Sequence, residues 1–319
     1  MATTTGSVET PREFSPPPQL LPQAVRKLPP CFHPESYRRR YRDVRALSDQ
    51  QLARHWRTTG RKRGRNAAPF ETRSQLLESL VGLDYLLEIG PFDKPSLQCL
   101  AGTAKAVHYA DYLSHAELVE RARQIPGRDP GGVPRIDYVL SRGGYGQISR
   151  KYDAIVSHHC IEHQPDLVGH FLEISGLLKD SGFYLCTLPD HRMCFDHFLQ
   201  PTTLVDLLAA HLEKRTRPSL HSVLEHRCFT EHHWQSTSDP TLDLRANLRE
   251  LLDAATCEYE SNDYVDVHCW KFTRKALALV LKQLIQLRFL PADTRCRTYS
   301  LGSEIVLIIS FSQAAHSLY

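Results

Sequence analysis

The chain has 319 residues, 41% of them hydrophobic and 24% charged, enough to bury a full α/β core with a smaller addition. Its formal charge is only +3, but Tyr37 to Arg65 holds eleven Lys/Arg against two Asp, a local +9 that leaves about −6 elsewhere. No apolar run is long enough for a membrane span, and the nine cysteines form no CxxC pair or regular framework, so reduced thiols and a cytoplasmic location are expected.

Residues 1–30 are rich in Thr, Ser and Pro, lack an apolar signal core and read as a disordered tail. Residues 31–68 read as a basic helical module. Two short helices are predicted there, with Tyr37, Tyr41, Val44, Leu47, Leu52, His55 and Trp56 as a small apolar face, closed by Gly60 and Gly64. Its arginines read first as a solvated face; nucleic acid is a possible partner through residues 37–65 but is not favoured.

From Leu83 onward strand-like and helix-like segments alternate, which predicts a Rossmann-like α/β fold: about seven mostly parallel strands with helices on both faces. The run Tyr85 to Ile89 reads as a buried central strand bounded by Gly90. The sequence after it, EIGPFDKPSL, has one glycine and two prolines, so it cannot supply the GxGxxG backbone cradle of a pyrophosphate. A ligand built from a nucleoside and an amino acid, without phosphate, makes a smaller demand that one glycine can meet. Strands are predicted at Ala106 to Asp111, Arg135 to Ser141, Tyr152 to His158 and Phe183 to Asp190. A helix with Leu167, Phe171, Ile174 and Leu178 on one stripe precedes the last of these, capped by Asp166 and ended by Gly182. Thr273 caps a further helix whose Leu277, Val280, Leu281, Leu284 and Ile285 face inward, and Ser303 to Phe311 closes the sheet. The core is thus expected in 69–190 and 265–319. Residues 191–264, too long for a plain connection, are expected to form a cap over the substrate.

The segments EIGPF, YADYLS and YDAIVSHHCIEHQPDLVGHFLEISGLLKDSGFYLCTLPD together resemble the class I S-adenosylmethionine-dependent methyltransferases. PDHRMCFDHF, EHHW and DVHCW extend the resemblance to a subgroup that carries such motifs. The basic module also resembles a short unit, YLxRYPDV…HYLxxGxxEGR, that accompanies enzymes of bacterial surface-glycan synthesis, with arginines replacing much of that pattern.

The resemblance implies S-adenosyl-L-methionine as cofactor. It would place Glu88, Gly90, Pro91 and Phe92 at the methionine end, Asp111 on the ribose hydroxyls, Tyr112 against the adenine, and Ser157 and His158 where the fourth strand opens onto the cleft. His158 is the first candidate for a general base, with His191 beside it; His163 is expected to be structural, bonded to backbone at a helix start. Asp190, His197, His233 and His268 are expected to bind substrate in the cap, where His226, His232, Asp196 and Asp266 could join them, with Trp234 and Trp270 as aromatic platforms. Such a cluster could hold a divalent ion that lowers the pKa of an acceptor hydroxyl, but no HExxH or close-set ligand triplet supports this, so polar substrate binding is the leading expectation and no metal is expected. Methyl transfer to oxygen of a polar small molecule or glycan is the leading expectation. A non-catalytic cofactor-binding regulator, or a nucleic-acid or protein methyltransferase guided by the basic module, are the alternatives.

Overall fold

The computed structural model describes residues 32–232, 239–261 and 265–311; the expected tail 1–30, His233 and Trp234 lie outside the described residues. Among those described, seven strands form one sheet: β1 (Tyr85–Ile89), β2 (Ala106–Asp111), β3 (Tyr138–Val139), β4 (Tyr152–His158), β5 (Leu178–Pro189), β6 (Arg295–Leu301) and β7 (Glu304–Ser310). Their order is β3-β2-β1-β4-β5-β7-β6. The first five run parallel, β7 is antiparallel to β5, and β6 pairs antiparallel with β7. The sheet is therefore Rossmann-like and mostly parallel, as expected.

The helices are α1 (Pro34–Arg40), α2 (Asp49–His55), α3 (Arg73–Glu78), α4 (His115–Gln124), α5 (Leu140–Gly143), α6 (Leu167–Leu177), α7 (Leu204–Leu212), α8 (Leu220–Cys228), α9 (Leu248–Glu260) and α10 (Arg274–Gln286). Strand alternation sorts the core between the two faces of the sheet. Leu87, Ile89, Ile155, Tyr184 and Leu307 pack with Phe171 and Ile174 of α6, Leu207 of α7 and Leu281 of α10. Leu86, Val156, Leu185 and Ile308 point the other way, onto Leu76 of α3, Leu97 and Leu100 of a 3-10 turn, and Phe70.

Several local expectations are corrected. The helix α6 is capped by Asp166, which accepts from Gly169 N at 2.8 Å, but it ends at Leu177 and the chain enters β5 at once. Gly182 lies inside that strand, where a Cβ would stand 2.8 Å from the Tyr152 carbonyl oxygen, so it permits close strand approach rather than ending a helix. The third strand is only two residues long, and β6 was not foreseen: its sequence RCRTYSL mixes charged, polar and apolar residues, and its pairing with β7 makes it a strand.

The basic module has its own small core of Phe32, Tyr37, Val44, Leu52, Ala53, Trp56 and Ala67. Gly64, at φ 65, ends it in the left-handed region as expected. Gly60 does something else. A Cβ there would lie 2.1 Å from the Tyr37 hydroxyl, so the glycine admits the tyrosine. The arginines are partly committed to local pairs, Arg65 to Asp43 at 2.8 Å, Arg38 to Asp49 at 2.5 Å and Arg40 to Glu71. In the long segment after β5, α7 packs on α6 and α10 through Leu207 and Ala210. The separately cored part is α8 with α9 and the strand-like run from Val265, built on Val223, Cys228, Ala255, Val265 and Val267.

Candidate active site

The chain leaves β1 toward β2 and β3 on one side, then returns to place β4 and β5 on the other. The loops after β1 and β4 therefore diverge, and their carboxyl ends bound the crevice where sheets of this kind take ligands. Gly90 stands at that point with φ 69, a conformation costly for any residue with a Cβ; a Cβ there would also stand 3.4 Å from Cys160 Sγ. Its amide donates to the Ala110 carbonyl at 2.9 Å, tying the loop to the end of β2.

Beyond Gly90, buried Pro91 and half-buried Phe92, the latter at φ 45, turn the chain away. Buried Asp93 then anchors the loop, accepting from Arg128 Nη1 and the Asp129 amide at 3.0 Å each. No long helix follows. The 3-10 turn Ser96–Leu100 takes its place, and Glu88 holds its start by accepting from the Ser96 and Leu97 amides at 2.8 and 2.9 Å. Both Glu88 oxygens thus serve the loop, while burial pushes its pKa up.

Asp111, ending β2, is 9% exposed and accepts from the Leu113 amide at 3.2 Å. Burial raises its pKa to about 6, against the lowering effect of the Leu113, Tyr112 and Phe92 amides and of Arg121. Tyr112 beside it is 47% exposed at the crevice rim.

The strand alternation of β4 separates Ser157 from His158. Ser157 is fully buried and shares a 2.6 Å hydrogen bond with the Tyr184 hydroxyl, which meets His170 Nε2 at 3.2 Å. Its side chain belongs to the α6 face and is not brought to the crevice. His158 points to the opposite face. Its Nδ1 meets Thr187 Oγ1 at 2.9 Å and its Nε2 meets Ser96 Oγ at 3.1 Å. Burial, with Arg73 adding to it, lowers its pKa to about 4, so it is neutral near pH 7.

Past β4 the backbone turns left-handed at His159, φ 50. The His159 ring lies between two acids: Nε2 meets Glu304 Oε1, and Nδ1 is 3.4 Å from Glu162 Oε1. Burial would lower its pKa, but the two carboxylates outweigh that and raise it to about 9. Arg73 Nε also bonds Glu304, at 3.1 Å.

The expected histidine cluster forms in part. His268 Nδ1 lies 2.6 Å from Asp196 Oδ2, both groups buried, and the His268 ring contacts the rings of Phe195, His226 and His163. His226 Nδ1 accepts from the His268 amide at 3.2 Å, and Phe195 also touches the His232 ring. His163 was expected to be a backbone-bonded structural residue, and this is corrected. Its Nδ1 faces Asp266 Oδ1 at 2.9 Å, because the 3-10 turn Ile161–His163 turns the ring toward the 266–270 run. Buried His191 begins the next 3-10 turn, its Nδ1 without a hydrogen-bond partner and its pKa lowered by burial.

Two other expected substrate residues are engaged locally. Asp190 is bound through both oxygens by Arg192, at 2.8 and 2.6 Å, and His197 Nδ1 meets the Arg192 carbonyl at 2.7 Å. Trp270 is buried with its Nε1 on the Gln164 carbonyl at 2.5 Å, as a core residue. A cleft of about 430 Å³ opens beside His226, lined also by Arg227, Thr230, Glu231, His232 and Arg245. Sequence reading passed over Glu162, Glu304 and Arg73. The EH pair of EHQPDL was the one signal for Glu162; nothing local marked the other two.

No family model and no curated protein matches the sequence. In three dimensions the chain is similar to the solved DhpI–SAH complex, at 13% identity, covering 88% of this chain and 97% of that one, with a TM-score of 0.39. It is similar also to an S-adenosylmethionine-dependent methyltransferase from Clostridium acetobutylicum, at 10% identity, 75% and 89% coverage and a TM-score of 0.38. A third likeness is to the plantazolicin methyltransferase BpumL in complex with SAH, at 9% identity, 72% and 76% coverage and a TM-score of 0.33.

Proposed function

We propose that this chain binds S-adenosyl-L-methionine across the carboxyl ends of β1 and β2 and methylates an oxygen of a polar small molecule or glycan. The observation that carries the reading is the pairing of Gly90 with Asp111 at the switch point of the sheet: bare backbone on one side, a buried carboxylate on the other. The fit is chemical. Ribose offers two hydroxyl donors to Asp111, and the short Glu88-capped turn offers no cradle for a pyrophosphate. Tyr112 is the candidate to lie along the adenine, with Gly90, Pro91 and Phe92 bounding the amino-acid end. When bound, the cofactor supplies an electrophilic methyl on a sulfonium.

Neutral His158, with both ring nitrogens on hydroxyls, serves as a wall that fixes Ser96 and Thr187 beneath the site. His191, whose buried Nδ1 just past β5 has no hydrogen-bond partner, is the better candidate to accept the proton of an acceptor hydroxyl. The acceptor would enter through the cleft at His226, whose lining of Thr230, Glu231 and the carboxylate-paired Arg227 and Arg245 favours a polar group. Calorimetry with S-adenosylhomocysteine, then turnover of His191→Ala, tests the reading. The variant should retain cofactor affinity and lose roughly 10²–10⁴ in rate. Wild-type protein that binds no cofactor defeats it, and binding without methylation of any fraction of a size-separated cell extract favours a regulatory role.

A further inference from the structure

A buried polar cluster is built around Glu162. This residue is 1% exposed, neither of its carboxylate oxygens accepts a hydrogen bond of good geometry, and His159 Nδ1 stands 3.4 Å from Oε1. A buried carboxylate without donors is expensive unless a positive charge stands on it. The Glu162 carbonyl accepts from Cys269 N at 2.7 Å and Trp270 N at 3.2 Å, which clamps the 266–270 run onto the turn and brings His268 alongside. One ligand atom each from Glu162, His163 and His268 lie within 4.8 Å of one another. Ligands around a tetrahedral ion at about 2.0–2.2 Å stand about 3.3–3.6 Å apart, so modest side-chain rotation closes the set.

The outer groups point the same way. His268 Nδ1 is hydrogen-bonded to Asp196 at 2.6 Å, and His163 Nδ1 faces Asp266 Oδ1 at 2.9 Å without hydrogen-bond alignment, which leaves Nε2 of each ring for an ion. Carboxylates behind imidazole ligands fix the tautomer and raise ligand basicity in this way. Asp266 is itself steadied by Arg121 at 2.5 Å.

We infer that Glu162, His163 and His268 bind one divalent transition-metal ion, with Asp196 and Asp266 as the groups that orient the two imidazoles. Two imidazoles and one carboxylate suit zinc, iron(II) or manganese rather than calcium or magnesium. The competing arrangement is an ion cluster in which imidazolium charges of His159, His163 and His268 neutralise Glu162 without metal. Three protein ligands leave a coordination position open. If that position takes an acceptor hydroxyl, the role rests on the methyl-transfer reading above; the ion site itself does not.

The test uses the full chain, stripped with chelator and titrated with zinc by calorimetry, and separately loaded with cobalt(II) for its visible spectrum. One zinc per chain is expected, with tetrahedral or five-coordinate cobalt bands and no thiolate-to-cobalt charge-transfer band. Glu162→Gln and His268→Ala should each lose stoichiometric binding at least 100-fold, while His115→Ala, on the exposed start of α4, keeps it. No zinc uptake by wild type, uptake unchanged in Glu162→Gln, or a thiolate band from the nearby cysteines each overturns the site. The cobalt spectrum of wild type decides the matter even where a variant fails to fold, and a separate cofactor titration shows whether the methyl-transfer reading stands or falls independently.

Discussion

Asp196 and His268, 72 residues apart in sequence, meet as a buried pair at 2.6 Å, and this contact fastens the segment after β5 to the run that leads into α10. Burial pushes the Asp196 pKa up, but the hydrogen bond and charge of His268 outweigh it and hold the carboxyl below its usual range. A depressed carboxylate contributes stability above its unfolded pKa of about 3.9 and loses it as pH falls through the folded value. Asp196→Asn should therefore lower stability by about 3–5 kcal/mol near pH 7, with the gap to wild type closing in acid. Denaturant melts at pH 7 and pH 3 check this; an equal gap at both would show that charge plays no part.

His159 gives the opposite pH signature. Its pKa is raised to about 9 by Glu162 and Glu304, so the stability it contributes is complete below the unfolded value of about 6.5 and is lost as pH rises through about 9. The ring is about half-exposed, so solvent screens the pairs and the effect is modest. Thermal midpoints of wild type and His159→Gln should converge between pH 6.5 and pH 9.5. A difference that stays constant across that range would contradict the assignment.

Gly90→Ala should cost about 1–2 kcal/mol, because the substituted residue must hold φ 69. It should also weaken cofactor binding, since the new methyl lies beside the crevice. A variant as stable as wild type would mean that the loop relaxes at no cost.

Removal of residues 1–65 should leave cofactor affinity unchanged. The module carries its own core, and the residues that support the sheet, Phe70 and Leu76, begin after it. A soluble truncated chain without affinity would make the module part of the site. Strongly salt-dependent oligonucleotide binding by the full chain, lost on truncation, would instead favour a nucleic-acid substrate.

The strands β1, β2 and β4 were legible because each is a short apolar run ended by a glycine, an acid or a histidine, and they fall where the sequence placed them; β3 is shorter and β5 begins earlier than expected. The strand β6 was not legible, since its mixed sequence becomes a strand through its neighbour. Asp111 and Gly90 were legible from position in the fold. The cluster around Glu162 was not, because its ligands lie 105 residues apart and no local spacing unites His163 with His268. His158 was placed at the right strand end, but its hydrogen bonds to Ser96 and Thr187 depend on folding together three separate segments.

The central claim is that Asp111 holds the ribose of the cofactor, and calorimetric titration of S-adenosylhomocysteine into wild type and Asp111→Asn at pH 5 and pH 7 tests it most directly. Burial raises the Asp111 pKa to about 6, so ionising it costs the folded chain stability as pH rises from about 4 through that value. Ligand hydroxyls that donate to the carboxylate should then bind more tightly at pH 7 than at pH 5. Asp111→Asn should lose about 1–3 kcal/mol of affinity at pH 7 and show no such pH dependence, while its unliganded stability at pH 7 holds or rises. Equal affinity of wild type and variant at both pH values, or no binding by either, would contradict the account.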